Sequence, residues 1–317
     1  MEKQELLKVK EIFERMTGES VRGICVQGAR MKGVADQAAE HDIFIIVSKS
    51  FEQYAGVNIH GLDRYAELQI ERFDSRRTYQ HVATRVGMEL GIGVSFSVYD
   101  LRAMFRGLVE YNPFTVVVIE EMMRSGHHDL PELARLLPKL HNVQLYVKEY
   151  LSAAVKNISS AREDLRENVA FRSEKRFVFA LWNLYMAAAI LHGVKTPNTD
   201  PQNSLQVDIT SLFNALKDSG IDLKYPTGIC VEMEDIFIER ATRKMGVPIT
   251  PLEEEDFNDI LEFYDSLKAD LDKVEDEQIN NAKVLQEANK VLLSILTRIN
   301  IDEMRAMIEE YEQAELA

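Results

Sequence analysis

The sequence predicts an α+β protein, in which an N-terminal mixed sheet with helices precedes a helical domain and an acidic helical C-terminal extension. Short apolar or alternating runs separated by helical patterns fill residues 1–125, and from Leu130 onward the apolar spacing is helical. The 317-residue length also favours two domains, or one domain with a large extension. We therefore expect an α/β domain over residues 1–125, a helical domain over residues 126–250 and an extension over residues 251–317.

The N-terminal part is predicted to form four strands, with helices before and between them. Apolar residues at helical spacing predict a first helix over residues 2–16. Because residues 43–47 are apolar without interruption, the strand that contains them should be covered on both faces. The four strands are assigned to residues 20–27, 42–48, 65–73 and 91–99, and a second helix is assigned to residues 75–89.

A further helix is predicted directly after the fourth strand. Asp100 is expected to be its N-cap, ahead of an apolar face that contains Leu101, Met104, Phe105 and Leu108. Asn112-Pro113 should end this helix, because the residue before a proline is disfavoured in helical conformation. The mostly apolar residues 114–123 are compatible with either a helix or a strand.

The rest of the chain is predicted to be helical. Helices are expected over residues 143–165 and 174–192, with Gly193 and Pro197 ending the second. Residues 251–280 carry twelve acidic residues against two lysines, yet they keep an apolar helical stripe of Phe257, Ile260, Leu261, Tyr264, Leu267 and Leu271. A last helix over residues 280–316 has as its candidate core Leu285, Leu292, Leu296, Ile299 and Met304.

The composition of the chain disfavours some classes of protein function. The net charge of −15 disfavours broad, charge-driven binding to nucleic acid, although a local basic groove remains compatible with it. Cys25 and Cys230 lie among apolar residues, which favours buried free thiols and a reducing, cytoplasmic location. The N-terminus lacks an apolar signal-peptide core, and no apolar run is long enough for a membrane span.

The segment from Gly28 to Val47 predicts a site for a metal and a phosphate. It begins with Gly28-Ala29-Arg30-Met31-Lys32-Gly33, a glycine turn at the end of a strand, and the next strand opens with Glu40 and Asp42. Residues two apart in a strand point to the same face, so these two carboxylates can share one divalent cation. Gly28 lets a phosphate approach the backbone beside them. This combination suits nucleotidyl transfer, in which a metal neutralises a triphosphate.

The same residues resemble the motif of the DNA polymerase beta-like nucleotidyltransferase superfamily. Within it the chain is most similar to the RNA-repair-associated predicted nucleotidyltransferase branch, whose members tend to show Gly-Ser-Arg-x-x-Gly before Ser-Asp-x-Asp. Gly28, Arg30, Gly33 and Asp42 stand in matching places.

Three later segments resemble motifs of the same branch, in the same order along the chain. A phage or bacterial origin is compatible with the family resemblance. Asp100-Leu101-Arg102 with Asn112-Pro113 is similar to its helix after the third strand. Tyr150-Leu151-Ser152 with Lys156-Asn157 is similar to its Tyr-Leu-Ser-x-x-x-Lys-Asn signature, and Lys175-Arg176 to a Lys-Lys-x-x-Tyr segment. The resemblance covers about residues 20–200 and leaves the acidic extension unexplained.

The resemblance implies a nucleotidyltransferase-like fold for the N-terminal domain and a role for each matching residue. Glu40 and Asp42 would hold Mg²⁺ (or Mn²⁺) and serve catalysis. The nucleoside triphosphate would lie on Gly28, Ala29 and Arg30, with Lys156 and Lys175 closing over it from the helical domain. The acceptor would be an RNA end, such as that of a tRNA, or another hydroxyl.

The departures from the family pattern support an alternative. Ala29 replaces the family serine, Glu40 replaces the first aspartate, and Ser95 stands where a third carboxylate is usual. Asp100 or the carboxylates Glu67 and Glu71 could substitute for that third group. The alternative is a catalytically degenerate binding or regulatory module, in which the C-terminal helices and their apolar stripe serve homo-oligomerisation or partner docking.

Several other residues are interpreted mainly as surface, core or loop residues. Arg72, Arg76, Arg77 and Arg85 form a basic cluster that would either guide an RNA backbone or pair with the acidic surface of the protein. Lys32 is interpreted as a surface residue, and Trp182 as a core residue. His41 should point to the face opposite the carboxylates, and the adjacent His127 and His128 are interpreted as loop residues.

Overall fold

A computed structural model describes residues 3–33, 35, 40–48, 79–110, 112–125, 127–140, 142–167, 169–195, 207–221, 252–274 and 281–315. In this part of the chain the protein combines a small three-stranded mixed sheet with many helices, which confirms the α+β class. Several predictions fall on residues outside these ranges: the strand over 65–73 with Glu67 and Glu71, the start of the helix over 75–89, Arg72, Arg76, Arg77, Pro197 and Cys230.

The sheet has the order β1-β2-β3. Strand β1 (Ser20–Gln27) pairs antiparallel with β2 (His41–Ser48), and β2 pairs parallel with β3 (Val94–Asp100). Helix α1 (Lys3–Thr17) precedes the sheet, the short helix α2 (Gly28–Met31) follows β1, and α3 (Gln80–Leu90) precedes β3. The apolar strand β2 therefore lies in the middle, with a hydrogen-bonded neighbour on each edge.

Strand β2 is covered on both faces, as its uninterrupted apolar run predicts. Ile43, Ile45 and Val47 pack in one cluster with apolar residues of α1 and α3. Phe44 and Ile46 point the other way, into a larger cluster formed with the helices that follow the sheet. Successive side chains of a strand alternate between faces, so this division also determines where the polar residues at the start of β2 point.

The two helices after the sheet are capped by side chains. Asp100 accepts a 2.7 Å hydrogen bond from the Ala103 N–H and caps α4 (Leu101–Val109), which confirms the predicted N-cap. The ambiguous segment 114–123 belongs to helix α5 (Pro113–Ser125). Asn112 Oδ1 accepts hydrogen bonds from the N–H groups of Phe114 and Thr115 at the start of α5. The Asn-Pro pair thus lies between two helices, as expected for residues that cannot continue the first.

The helical core is built around one antiparallel pair. Two short 3₁₀ turns, Pro131–Arg135 and Leu137–Leu140, come first. Helix α6 (Val143–Arg166) then packs against α7 (Ala170–Leu191), and the bounds of both helices lie close to the predicted ones. Near one end Ser173 Oγ donates to the Ala161 carbonyl, and further along the rings of Tyr150 and Trp182 meet edge to face at 5.8 Å. Helix α8 (Ile209–Asp218) packs against α7.

The C-terminal helices α9 (Glu254–Leu271) and α10 (Asn281–Glu315) pack onto the same core. The expectation that the apolar stripe of α9 is free for oligomerisation or docking is wrong, because Phe257, Ile260, Leu267 and Leu271 are buried against the protein itself. Leu285 of α10 is also not a core residue, since 47% of it is exposed. No helix among the described residues is long and apolar enough to cross a membrane.

A buried ion pair joins α5 to the chain after α7. Lys195 Nζ lies 2.8 Å from Glu120 Oε2, and the two residues are only 4% and 5% exposed. Each charge is costly to bury alone, and the pair is tolerated because each charge neutralises the other.

We expect Lys195→Met to lower the free energy of unfolding by about 3–5 kcal/mol, because the change leaves the Glu120 carboxylate buried without its partner. The double variant Glu120→Leu/Lys195→Met should recover most of this loss. The measurement is urea denaturation of the full chain. As a control, Lys139→Met breaks the surface pair with Glu287 and should leave the free energy of unfolding nearly unchanged. A cost of Lys195→Met no larger than that control would contradict the prediction.

Candidate functional site

The candidate site lies where β2 begins. Asp42 is the middle residue of a row across the sheet, with Gln27 of β1 on one side and Ser95 of β3 on the other. Glu40 directly precedes β2, is exposed, and lies against Gly93, where an added Cβ would be 3.2 Å from the Glu40 Cγ. By strand alternation Asp42 points to the same face as Phe44 and Ile46, which is the face covered by the helical core.

Gly28 packs directly on the Asp42 carboxylate. Its φ is +68°, and a Cβ at this position would be 2.2 Å from Asp42 Oδ2. Both the backbone conformation and the close approach therefore require glycine. Ala29 and Arg30 follow in α2, so the structure brings the turn of the predicted phosphate site to the predicted metal ligand.

Ser95 occupies the position opposite Asp42 where the resemblance implies a third carboxylate. Its hydroxyl donates a 2.5 Å hydrogen bond to Asp42 Oδ1. Asp100 cannot take the place of that carboxylate, because it pairs with Val47 at the other end of the parallel strands, five residues and about 17 Å away. Within the described ranges no cluster of three or more His, Cys, Asp or Glu residues is arranged to hold a metal ion.

The donor set fits one hard divalent cation. Glu40 and Asp42 provide carboxylate oxygens, and Mg²⁺ is commonly held by one or two carboxylates together with substrate phosphates. One oxygen of Asp42 already accepts the Ser95 hydrogen bond, and Ser95 brings no charge. Two carboxylates could hold a single Mg²⁺ or Mn²⁺ ion only together with other ligands, and the described residues provide no third carboxylate beside them.

Lys32 is the site residue that the sequence did not reveal. It is partly buried, and its Nζ lies 4.2 Å from the ring centre of Trp182 and 4.6 Å from that of Phe179. The interpretation of Lys32 as a surface residue is therefore wrong. The contact joins residues about 150 positions apart, so no local pattern in the sequence could indicate it. Trp182 itself is fully buried, as predicted.

The turn that carries Lys32 is held by backbone contacts. The Lys32 carbonyl accepts a 2.9 Å hydrogen bond from the Ile209 N–H, and a Cβ on Gly33 would be 3.0 Å from the Asp208 Cβ. Trp182 Nε1 donates to the Val207 carbonyl at 2.6 Å. The end of α2, the start of α8 and the aromatic face of α7 are thus locked together, which restricts the position of the Lys32 ammonium.

The two lysines predicted to contact the nucleotide lie in different surroundings. Lys175 is exposed on α7, and its Nζ is 5.9 Å from the ring centre of Phe179, the ring that also contacts Lys32. Lys175, Phe179 and Trp182 share one helix face, because they follow at intervals of four and three residues. Lys156 is exposed on α6, and no hydrogen bond or ion pair among the described residues joins it to α2 or β2.

Other candidate residues have electrostatic or hydrogen-bonding neighbours of their own. Burial, followed by the positive charge of Arg30, lowers the pKa of His41, so the Arg30 guanidinium acts on the start of β2. Arg85, the described member of the basic cluster, pairs with Glu89 at 2.6 Å, as expected for the surface alternative. His128 Nδ1 accepts a hydrogen bond from the Leu130 N–H, which agrees with a structural loop role.

The charge state of Lys32 is coupled to its burial. Burial lowers the pKa of the Lys32 ammonium from 10.5 to about 8, and the negative charge of Asp42 opposes this shift. Between these two pH values the unfolded chain binds more protons at Lys32 than the folded chain does. The contribution of Lys32 to the free energy of unfolding therefore rises as the pH rises from about 8 to 10.5.

We expect this titration to be visible in the fluorescence of Trp182, the single tryptophan of the chain. The emission should change with a midpoint near pH 8, because the ammonium lies over the indole ring. Lys32→Met should abolish the change, and the stability of the wild type relative to this variant should rise between pH 8 and 10.5. Lys175→Met, the matched control, should keep the titration. An identical titration in Lys32→Met would contradict the assignment.

Comparison with family models, with curated proteins and with solved structures finds no match to this chain. The family and the function therefore stay proposals that depend on the residues and contacts described above.

Proposed function

We propose that the protein is a metal-dependent nucleotidyltransferase, similar to the RNA-repair-associated branch of the polymerase beta-like superfamily. It would transfer a nucleoside monophosphate from a nucleoside triphosphate to an RNA end or another hydroxyl acceptor. The observation that supports this best is the contact between Gly28, at φ +68°, and the carboxylate of Asp42 at the start of the central strand. In this proposal the turn at Gly28 would admit a phosphate directly beside Asp42, which would be a ligand for the metal.

Each residue of the site has a role in this proposal. Glu40 and Asp42 would hold Mg²⁺ (or Mn²⁺), which when bound would neutralise the phosphates and stabilise the leaving pyrophosphate. Gly28 and Ala29 would line the triphosphate, with Arg30 beside them. Lys175 would contact the phosphates from α7, and Lys156 remains a proposed nucleotide contact from α6.

The acceptor belongs to the same proposal. The net charge of −15 means that an RNA or tRNA acceptor would be held locally rather than by the overall charge of the protein. We also propose a cytoplasmic location, because Cys25 is a buried free thiol of the kind that persists in a reducing compartment.

We expect the full chain to transfer label from an α-labelled nucleoside triphosphate to total tRNA in the presence of Mg²⁺ or Mn²⁺. Asp42→Asn and Glu40→Gln should each reduce the rate at least about 100-fold, because losing a metal ligand removes several kcal/mol of transition-state stabilisation. Asp218→Asn, on the exposed end of α8, is the matched control and should leave the rate unchanged. Absence of transfer by the wild type, or transfer unaffected by Asp42→Asn, would contradict the proposal.

A second candidate function is a nucleotide-binding or regulatory module without catalysis. Ser95 favours it, because a hydroxyl that donates to Asp42 cannot act as the base that a third carboxylate would provide. A thermal-shift measurement separates the two candidates. A rise in melting temperature with Mg²⁺ and nucleoside triphosphate that Asp42→Asn abolishes, without any transfer, would identify the module.

We further propose that α10 associates with a second copy of the chain. Leu293 and Leu285 are 63% and 47% exposed on this helix, although other residues of α10 pack against the core. Leu293→Lys should convert a dimer into a monomer in size-exclusion chromatography with light scattering, whereas Lys290→Gln, at another exposed position of the helix, should not. A wild-type chain that is monomeric at all concentrations would contradict self-association.

A further inference from the structure

We propose that Lys32 and Lys175 form a cation pair that binds a phosphate-bearing anion between α2 and α7 without requiring a divalent cation. This inference deepens the proposed nucleotide site, and it depends on the proposed function only for the class of ligand. It assigns to Lys32 a role in ligand binding that the family resemblance does not imply.

The first support is the convergence of two ammonium groups on one ring. Lys32 reaches Phe179 from the turn after α2, and Lys175 reaches it from the preceding turn of α7. Both nitrogens lie within about 6 Å of the ring centre, the range of a cation–π contact. An anion that reaches the edge of this ring would therefore meet two positive charges.

The second support is the unused hydrogen-bonding capacity of Lys32. An ammonium group has three donors, and the Lys32 nitrogen contacts two aromatic rings. No carboxylate or carbonyl in the described part of the chain accepts a hydrogen bond from it. The donors therefore remain available to the oxygens of a phosphate, which would form charge-assisted hydrogen bonds.

The third support is the balance of charge at the start of β2. Ser95, which pairs with Asp42, contributes no charge, and the negative charge of Asp42 acts on the Lys32 ammonium. A carboxylate at position 95 would add a second negative charge here and would repel an approaching anion.

The fourth support is preorganisation. The hydrogen bond from the Ile209 N–H to the Lys32 carbonyl and the packing of Gly33 on Asp208 hold the turn in place before a ligand arrives. The Asp208 side chain is engaged as the N-cap of α8, where it accepts a hydrogen bond from the Ser211 N–H. Less conformational freedom is therefore lost when an anion binds.

The test is binding of inorganic pyrophosphate to the full chain in EDTA, measured by calorimetry and by the fluorescence of Trp182 at pH 7. We expect saturable binding by the wild type and a loss of at least about tenfold in affinity for Lys32→Met, which removes one charge–phosphate contact. Lys175→Met should weaken binding less, because Lys175 is exposed. Asp42→Asn should bind in EDTA as tightly as the wild type or more tightly, because a repulsive charge is removed.

Two further variants make the outcome unambiguous. Lys148→Met, on the exposed surface of α6, is the matched control and should bind like the wild type. Lys32→Arg keeps the charge and should keep measurable binding, which separates loss of charge from loss of folding if Lys32→Met proves unstable. Pyrophosphate binding that requires Mg²⁺, or that is unaffected by Lys32→Met, would overturn the inference.

Failure of this inference can be told apart from failure of the proposed function. A chain that binds pyrophosphate in EDTA but never transfers a nucleotide supports the cation pair and refutes the transferase. A chain that transfers a nucleotide but binds pyrophosphate only with Mg²⁺ supports the transferase and refutes the cation pair.

Discussion

The close approach of Gly28 to Asp42 is the constraint on which the rest of the site depends. A side chain at position 28 would overlap the carboxylate, so glycine at positive φ is the condition for β1 to turn sharply into α2 at this point. The turn then carries Lys32 and Gly33 away from the sheet and onto α7 and α8. Without that turn, the aromatic face of α7 and the carboxylate at the start of β2 would have no common neighbour.

The central strand connects this site to the two cores of the protein. Its odd-numbered apolar residues pack with α1 and α3, and its even-numbered ones pack with the helical layer. Asp42 continues the even-numbered series, so the same alternation that buries Phe44 and Ile46 points the carboxylate toward the helices. The position of the functional group is thus a consequence of core packing, and a shift of one residue in register would turn Asp42 away from Lys32 and α7.

Local patterns predicted much of this fold, and contacts distant in sequence decided the rest. The apolar run of β2, the Asp100 N-cap and the helices of residues 143–165 and 174–192 depend on neighbouring residues, and the structure confirms them. The helical state of residues 114–123, the burial of the α9 stripe and the exposure of Leu285 depend on what each surface meets. Spacing along the chain carries no information on that, and the position of Lys32 on the rings of α7 is the clearest example.

Ser95, which stands where the family resemblance implies a third carboxylate, also affects the charge around Lys32. A carboxylate at position 95 would face Asp42 across paired strands, and the two charges would have to be compensated by metal ions. With Ser95 the hydroxyl satisfies one oxygen of Asp42, and the negative charge of Asp42 acts on the Lys32 ammonium, where it opposes the effect of burial on the pKa. Ser95 and Lys32 therefore act on the same carboxylate. Ser95 donates a hydrogen bond to Asp42 and the Lys32 ammonium interacts with its negative charge, and the proposed anion site depends on this distribution of charge.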